Sequence, residues 1–311
     1  IAHRRSPRLK APSFAYVKPR ALAEAFELLE RPGAKALAGG QSLIPALNMR
    51  LSSPELLVDI GALPFREITL EQGVLRIGAL VTHARLEVDS AIVAGYTALA
   101  DASALVGSPS TRNVGTIGGN VMNASPAMDT GAPLLVLGAE VELQSTTGSR
   151  SVAIGDLWTA PGRTSAQSSE LCVAIRLPSR PAMSGSAYVR LEYRRAMEIA
   201  VVGAAAAVTL DPAGNVVSLS VALTAVAPTI VAVADTGVFV GRPVDEALLA
   251  DIAVLASHQA TPISDLRASD TYRRHCIGVM ARRAVDAATR RARGESIAVP
   301  VNRSLGIGAA S

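Results

Sequence analysis

Two glycine pairs set against apolar sequence are the residues of this chain best suited to chemistry: Ala38-Gly39-Gly40-Gln41-Ser42 and Thr116-Ile117-Gly118-Gly119-Asn120. Glycine lets backbone N–H groups turn inward and approach a ligand closely. A diphosphate is too wide and too charged for one peptide loop to enclose well, so two side-chain-free loops converging from distant sequence would make a cradle for it. Read singly, either pair is a weak signal, because most Gly-Gly steps are only turns. Neither loop is followed by Gly-Lys-Ser/Thr, which excludes a P-loop.

The elements around the loops decide between these readings. The pattern predicts a strand at Phe14–Val17, a Pro19-led helix with Leu22, Ala25, Phe26 and Leu29 on one face, and a strand at Ala34–Leu37 that runs into the first loop. Ser42 is then expected to cap a helix through Asn48, which would set the loop at a helix N-terminus where anions are favoured. A strand at Leu56–Ile60 and a turn at Gly61-Ala62-Leu63-Pro64 mark a subdomain joint. Beyond it are expected a strand at Val74–Leu80, a helix capped by Thr82, a helix over Gly95–Val106, and a polar binding loop over Gly107–Gly119. Asp129 or Thr130 would cap a helix through Leu137, and strands at Glu140–Gln144 and Leu171–Leu177 complete the unit.

Ser179–Gly185 reads as a linker. After it come strands at Ile199–Leu210 and Val216–Thr224 and helices at Thr229–Asp235, Asp245–Ser257 and Ser269–Arg293, the pattern of a small α+β domain. Residues 294–311 read as an exposed tail without a packed face.

At 311 residues and 49% hydrophobic content the chain can bury the cores of two domains. Its net charge is only +4, with no Lys/Arg run interleaved with aromatics, so nucleic-acid binding is not indicated. Arg282 to Arg293 recur at helical spacing opposite Ile277, Met280, Ala281, Ala284, Val285 and Ala288, either a solvated face or a match for an acidic patch on a partner. Cys172 and Cys276 are too few to hold an iron–sulfur cluster, and His3, His83, His258 and His275 lack metal-ligand spacing and read as surface or helix-end residues. The basic stretch Arg4-Arg5…Arg8…Lys10 has no apolar run behind it, and Ile199–Leu210 is too short to cross a bilayer. A cytoplasmic protein without stable membrane insertion is the expectation.

Leu37 to Leu43, Val114 to Asn120, the continuation Asn123-Ala124-Ser125-Pro126…Asp129, Pro19-Arg20-Ala21-Leu22 and Arg194 to Val202 together resemble the FAD-binding medium subunit of the molybdenum hydroxylases, the carbon monoxide dehydrogenase and xanthine dehydrogenase relatives. The resemblance runs from about Ala11 to Gly294. It implies an α+β chain: a PCMH-type two-subdomain FAD-binding domain over residues 11–180 (subdomains about 11–63 and 64–180), a flavoprotein C-terminal domain over 185–294, and a tail over 295–311.

The cofactor-binding residues so implied are Leu37, Ala38, Gly39, Gly40, Gln41, Ser42 and Leu43 on one side and Val106, Gly115, Thr116, Ile117, Gly118, Gly119 and Asn120 on the other. Asp129 matches an acid that anchors the adenosine part, Arg195 a basic residue beside the flavin, and Ile199 a side chain against its ring. On residue type alone, Asp129 is equally a helix N-cap, Arg195 a charge on a strand edge and Ile199 core. Ile199 stands where the carbon monoxide enzymes have tyrosine, a departure toward the xanthine dehydrogenase side, and Cys172 replaces a usual aliphatic residue as a buried thiol.

The family's mechanism is electron relay, with no catalytic acid, base or metal in this chain. The molybdopterin cofactor and two-iron, two-sulfur clusters would sit in a large and a small partner subunit, arranged as a dimer of heterotrimers. Two other functions remain open on the sequence: a self-contained flavin oxidase or reductase of the same fold, and a non-redox assembly subunit that has lost FAD.

Overall fold

The computed structural model describes residues 10–307; the Arg4–Arg8 stretch, His3 and the last four residues lie outside the described residues. The first lobe is a three-stranded parallel sheet with Leu56–Asp59 in the centre, flanked by Ala15–Val17 and Ala34–Leu37. Parallel strands need a covered face. The helix Leu22–Leu29 supplies the cover by burying Ala25, Phe26, Leu28 and Leu29. The short helix Leu43–Asn48 follows, so the first glycine loop joins a strand end to a helix start as the pattern predicts.

The second lobe is a five-stranded antiparallel sheet in the order Ile68–Glu71, Val74–Gly78, Leu171–Leu177, Glu140–Ser145, Gly148–Ala153. The two edge strands escape the sequence pattern because both are largely exposed: Ile68–Glu71 alternates over only four residues, and Gly148–Ala153 is mostly small and polar. Gln72 and Gly73 both adopt positive φ in the tight hairpin that joins the first pair. In the central strand a register shift between Cys172 and Ala174 turns Leu171 and Val173 toward the first lobe's core and Ile175 and Leu177 toward the second's. Cys172 is buried as expected, and burial, reinforced by Glu142, pushes its thiol up to about 12.

The third layer is a four-stranded antiparallel sheet, Ser184–Leu191, Val202–Leu210, Val216–Thr224 and Val231–Ala232. All nine residues of Val202–Leu210 are buried. Its Ala205 and Ala207 pack into the second lobe's core, while Ala204, Ala206 and Val208 meet the helices Glu246–Gln259 and Asp270–Ala292. Small side chains on both faces let this sheet sit between two layers.

Several expectations fail here. The strand Ser184–Leu191 begins inside the expected linker, and the next strand starts at Val202 because residues 192–201 form a loop. Thr229–Asp235 is no helix: it holds the strand Val231–Ala232, and a 3-10 turn over Thr236–Phe239 follows. The arginine-rich helix is not uniformly solvated either, since Arg291 is buried on Asp101. Its apolar face is buried as read.

The expected exposed tail is instead partly packed: residues 294–296 are exposed, whereas Ile297, Val299, Leu305 and Ile307 are half-buried and Pro300 is buried. Val301 and Asn302 are buried, the Val301 N–H donates to Asp101 Oδ1 at 2.9 Å, and the Asn302 amide pairs with both the N–H and the C=O of Arg190. Its apolar residues fit a cleft built from both domains, which no local pattern in residues 294–311 reveals. No helix among the described residues is long and apolar enough to cross a membrane.

Candidate dinucleotide site

The two glycine pairs meet. A Cβ on Gly39 would overlap the Val114 carbonyl oxygen and lie 2.9 Å from the Gly115 Cα, and one on Gly119 would sit 3.7 Å from the Ala38 Cβ. Their contributions differ. Among the described residues, the main-chain N–H groups of Gly39, Gly40, Gln41, Ser42 and Leu43 donate to no protein acceptor. Gly40 has φ +70°, a conformation glycine adopts without strain. Ser42 does not cap as expected: it is already in helical conformation, and its hydroxyl accepts no helix N–H. Five donors and one hydroxyl are thus left without a partner among the described residues. Unsatisfied donors of this kind, in a half-exposed loop, are what an anion requires.

The second loop is nearly saturated. In place of a polar loop over Gly107–Gly119, the chain forms two short helices, Pro109–Val114 and Ile117–Met122, capped by the hydroxyls of Ser108 and Thr116. Polar side chains used as caps produce no apolar period, which hid both helices. Here Gly115 donates to Thr111 O, Ile117 to Val81 O, Gly118 to Ala79 O, Gly119 to Thr116 Oγ1 and Asn120 to Thr116 O. Ile117 and Gly118 are buried, and a Cβ on Gly118 would come within 2.6 Å of Ala79. Gly118 is therefore needed for packing, while exposed Gly119 faces the first loop. The Thr116 N–H and the Asn120 side-chain NH2 remain undonated among the described residues. A wall shaped for close approach thus opposes a row of donors.

Asp129 is 7% exposed and both its oxygens are engaged: Oδ1 accepts from the Tyr188 hydroxyl at 2.9 Å, Oδ2 from Arg190 at 2.8 Å. It is not the N-cap of the helix Gly131–Val136. Thr130 holds that position, and its hydroxyl donates to Asn120 Oδ1 at 2.6 Å instead of capping. Arg190 also binds Glu192 at 2.7 Å. Burial opposes its charge, and Asp129, Tyr188 and Glu192 outweigh that and hold the guanidinium ionised. The Tyr188 hydroxyl is pushed up, by burial first and then by Asp129.

Arg195 and Ile199 lie in the 192–201 loop, not on a strand, and both are exposed. This loop meets the second lobe beside the helix Pro109–Val114: Met197 N–H donates to Gly107 O at 2.8 Å and Thr111 reaches the Met197 sulfur. Val106 is half-buried nearby, its carbonyl held by Arg112. His83, expected at the surface or a helix end, begins the helix His83–Leu86 but is 2% exposed, pressed beside Gly115. Burial, and then Arg112, push its imidazole down to about 4. Tyr188, Arg190 and Glu192 belong to no motif in the sequence; a charged residue inside the apolar run Ala187-Tyr188-Val189-Arg190-Leu191 is the one signal of them.

These loops and layers define a flavoprotein of known type. Residues 12–180 match the family described as FAD binding domain in molybdopterin dehydrogenase, and residues 187–288 the CO dehydrogenase flavoprotein C-terminal domain. The chain belongs to the FAD-binding medium subunits of the carbon monoxide dehydrogenase and xanthine dehydrogenase family of molybdenum hydroxylases, and is an oxidoreductase subunit.

It is 37% identical over 285 residues to the carbon monoxide dehydrogenase medium chain of Afipia carboxidovorans, covering 90% of this chain and 98% of that one. Against the xanthine dehydrogenase FAD-binding subunit of Escherichia coli O157:H7 it is 34% identical, covering 90% and 98%. A solved carbon monoxide dehydrogenase from Hydrogenophaga pseudoflava, lacking the Mo-pyranopterin moiety of its cofactor, superposes with TM-score 0.87 at 32% identity, covering 90% of this chain and 99% of that one. Quinoline 2-oxidoreductase from Pseudomonas putida 86 gives 0.86 at 30%, covering 91% and 99%.

Proposed function

We propose that this chain holds FAD as the electron-transfer centre of a heteromeric molybdenum hydroxylase, between the two-iron, two-sulfur clusters of a small subunit and an external electron acceptor. A large subunit would carry the molybdopterin cofactor, and a dimer of such heterotrimers would be the assembly. One observation carries this reading: the five unbonded N–H groups from Gly39 to Leu43, set against the closed wall at Gly119, fit a diphosphate. FAD supplies the redox chemistry when bound.

The chain's residues bind and orient. The N–H groups of Gly39–Leu43 and the Ser42 hydroxyl hold the diphosphate, joined by the Thr116 N–H and the Asn120 amide. Asp129, with both oxygens already in hydrogen bonds, has lone pairs left to accept from a sugar hydroxyl. Arg195 and Ile199, exposed on the 192–201 loop, would be the residues that hold the flavin part. No residue of this chain is assigned a proton transfer.

The purified chain should show flavin absorbance, or gain it on addition of FAD, and should co-purify with two further subunits. A chain that takes up no flavin sinks the reading. A lone monomer that oxidises an organic substrate would overturn the relay.

A further inference from the structure

A second polar feature opens beside the first glycine loop. It is a cavity of about 260 Å³ at the joint of the two lobes, bounded by Gly39 and Thr116 and by Lys18, Asp59, Arg66 and Asn113. Its charge is unbalanced: two cations face one carboxylate. That carboxylate is already occupied. Asp59 Oδ1 accepts the Gly61 N–H at 2.8 Å, and Oδ2 takes the Tyr16 hydroxyl and lies 3.4 Å from Lys18 Nζ.

Arg66 has no carboxylate partner among the described residues. Its guanidinium is held by two main-chain carbonyls, Gly61 O at 2.9 Å from the joint and Leu80 O at 3.5 Å from the second lobe. Carbonyls fix a guanidinium in place without neutralising it, so the charge is positioned and left for an anion.

The glycine loops themselves contain no cation: Leu37–Leu43 and Gly115–Asn120 offer only neutral donors. A diphosphate held there would lack counter-charge from its own cradle. Lys18 and Arg66 are the cations of the adjoining cavity, which shares Gly39 and Thr116 with the loops.

We propose that Lys18 and Arg66 form a phosphoryl-binding subsite at the lobe joint. The group it takes is a phosphate oxyanion. Two sources share that chemistry: the diphosphate of the chain's own FAD, in which case the inference rests on the function proposed above, or a phosphate of a separate nucleotide bound alongside it.

The test uses the full chain stripped of flavin, with ADP, inorganic pyrophosphate and adenosine titrated by calorimetry into wild type, Lys18→Gln, Arg66→Gln and Arg66→Lys. Charge-assisted hydrogen bonds of this kind predict roughly tenfold weaker ADP and pyrophosphate binding in each Gln variant, unchanged adenosine binding, and partial rescue by Arg66→Lys. The difference should shrink at high salt. Lys18 is exposed and, among the described residues, its ammonium pairs with Asp59 alone, so its variant reports on binding even if Arg66→Gln loosens the joint.

ADP that displaces FAD supports the first source; ADP that binds the FAD-loaded chain without displacing it supports the second. Equal ADP and pyrophosphate binding by wild type and Lys18→Gln, or none by either, overturns the subsite. A chain that binds pyrophosphate through Lys18 but takes no FAD would sink the proposed function and leave the subsite standing.

Discussion

Oδ2 of Asp129, on the FAD-binding domain, lies 2.8 Å from Nη1 of Arg190, on the C-terminal domain, and the Arg190 side chain has no solvent exposure. Glu192 binds the same guanidinium, and Asn302 clasps the Arg190 main chain. One buried arginine thus ties both domains, the C-terminal segment and the acid implied in cofactor binding.

Removing one partner of a buried ion pair leaves the others without compensation. Arg190→Met should therefore cost about 3–5 kcal/mol of stability. Denaturant midpoints of variant and wild type measure it, and a midpoint equal to wild type would mean that Asp129 and Glu192 do not depend on Arg190.

His83 makes stability pH-dependent. Its pKa falls from 6.5 in the unfolded chain to about 4 in the fold, so the unfolded state binds the extra proton between these values. Stability from this group is complete above pH 6.5 and is lost as the pH falls toward 4, a loss of about 3 kcal/mol. Unfolding free energies of wild type and His83→Gln between pH 4 and 7 should show a flatter profile for the variant. Parallel profiles would contradict the buried neutral imidazole.

The C-terminal segment acts as a strap. Asn302→Ala would leave the Arg190 N–H and C=O buried and unmatched, costing about 1–3 kcal/mol. Limited proteolysis offers the check: wild type should resist cleavage between Gly294 and Val301, and the variant should be cut there. Equal susceptibility would show that the strap does not depend on Asn302.

Much of this was legible in the sequence. Ala34–Leu37 running into Gly39-Gly40 and then into a helix is a local pattern, and the structure has it. The apolar-rich strand Val216–Thr224 and the apolar face of Asp270–Ala292 were equally visible. What stayed hidden depends on contacts across the chain. Ser108 and Thr116 cap short helices that have no apolar period, Gly148–Ala153 is a polar edge strand, and Val301 and Asn302 are ordered only because Asp101 and Arg190 meet them from other domains. The two glycine pairs looked alike in sequence. Their difference is one of hydrogen bonding, since Gly118 and Gly119 spend their N–H groups on Ala79 and Thr116, whereas Gly39 and Gly40 spend none.

Amide hydrogen exchange, read residue by residue with and without FAD, measures that asymmetry. Amides of Gly39 to Leu43 should exchange freely in the flavin-free chain and become protected when FAD binds, while those of Ile117 to Asn120 should be protected already and change little. Protection that appears at Ile117–Asn120 instead, or that leaves Gly39–Leu43 unchanged, would contradict it.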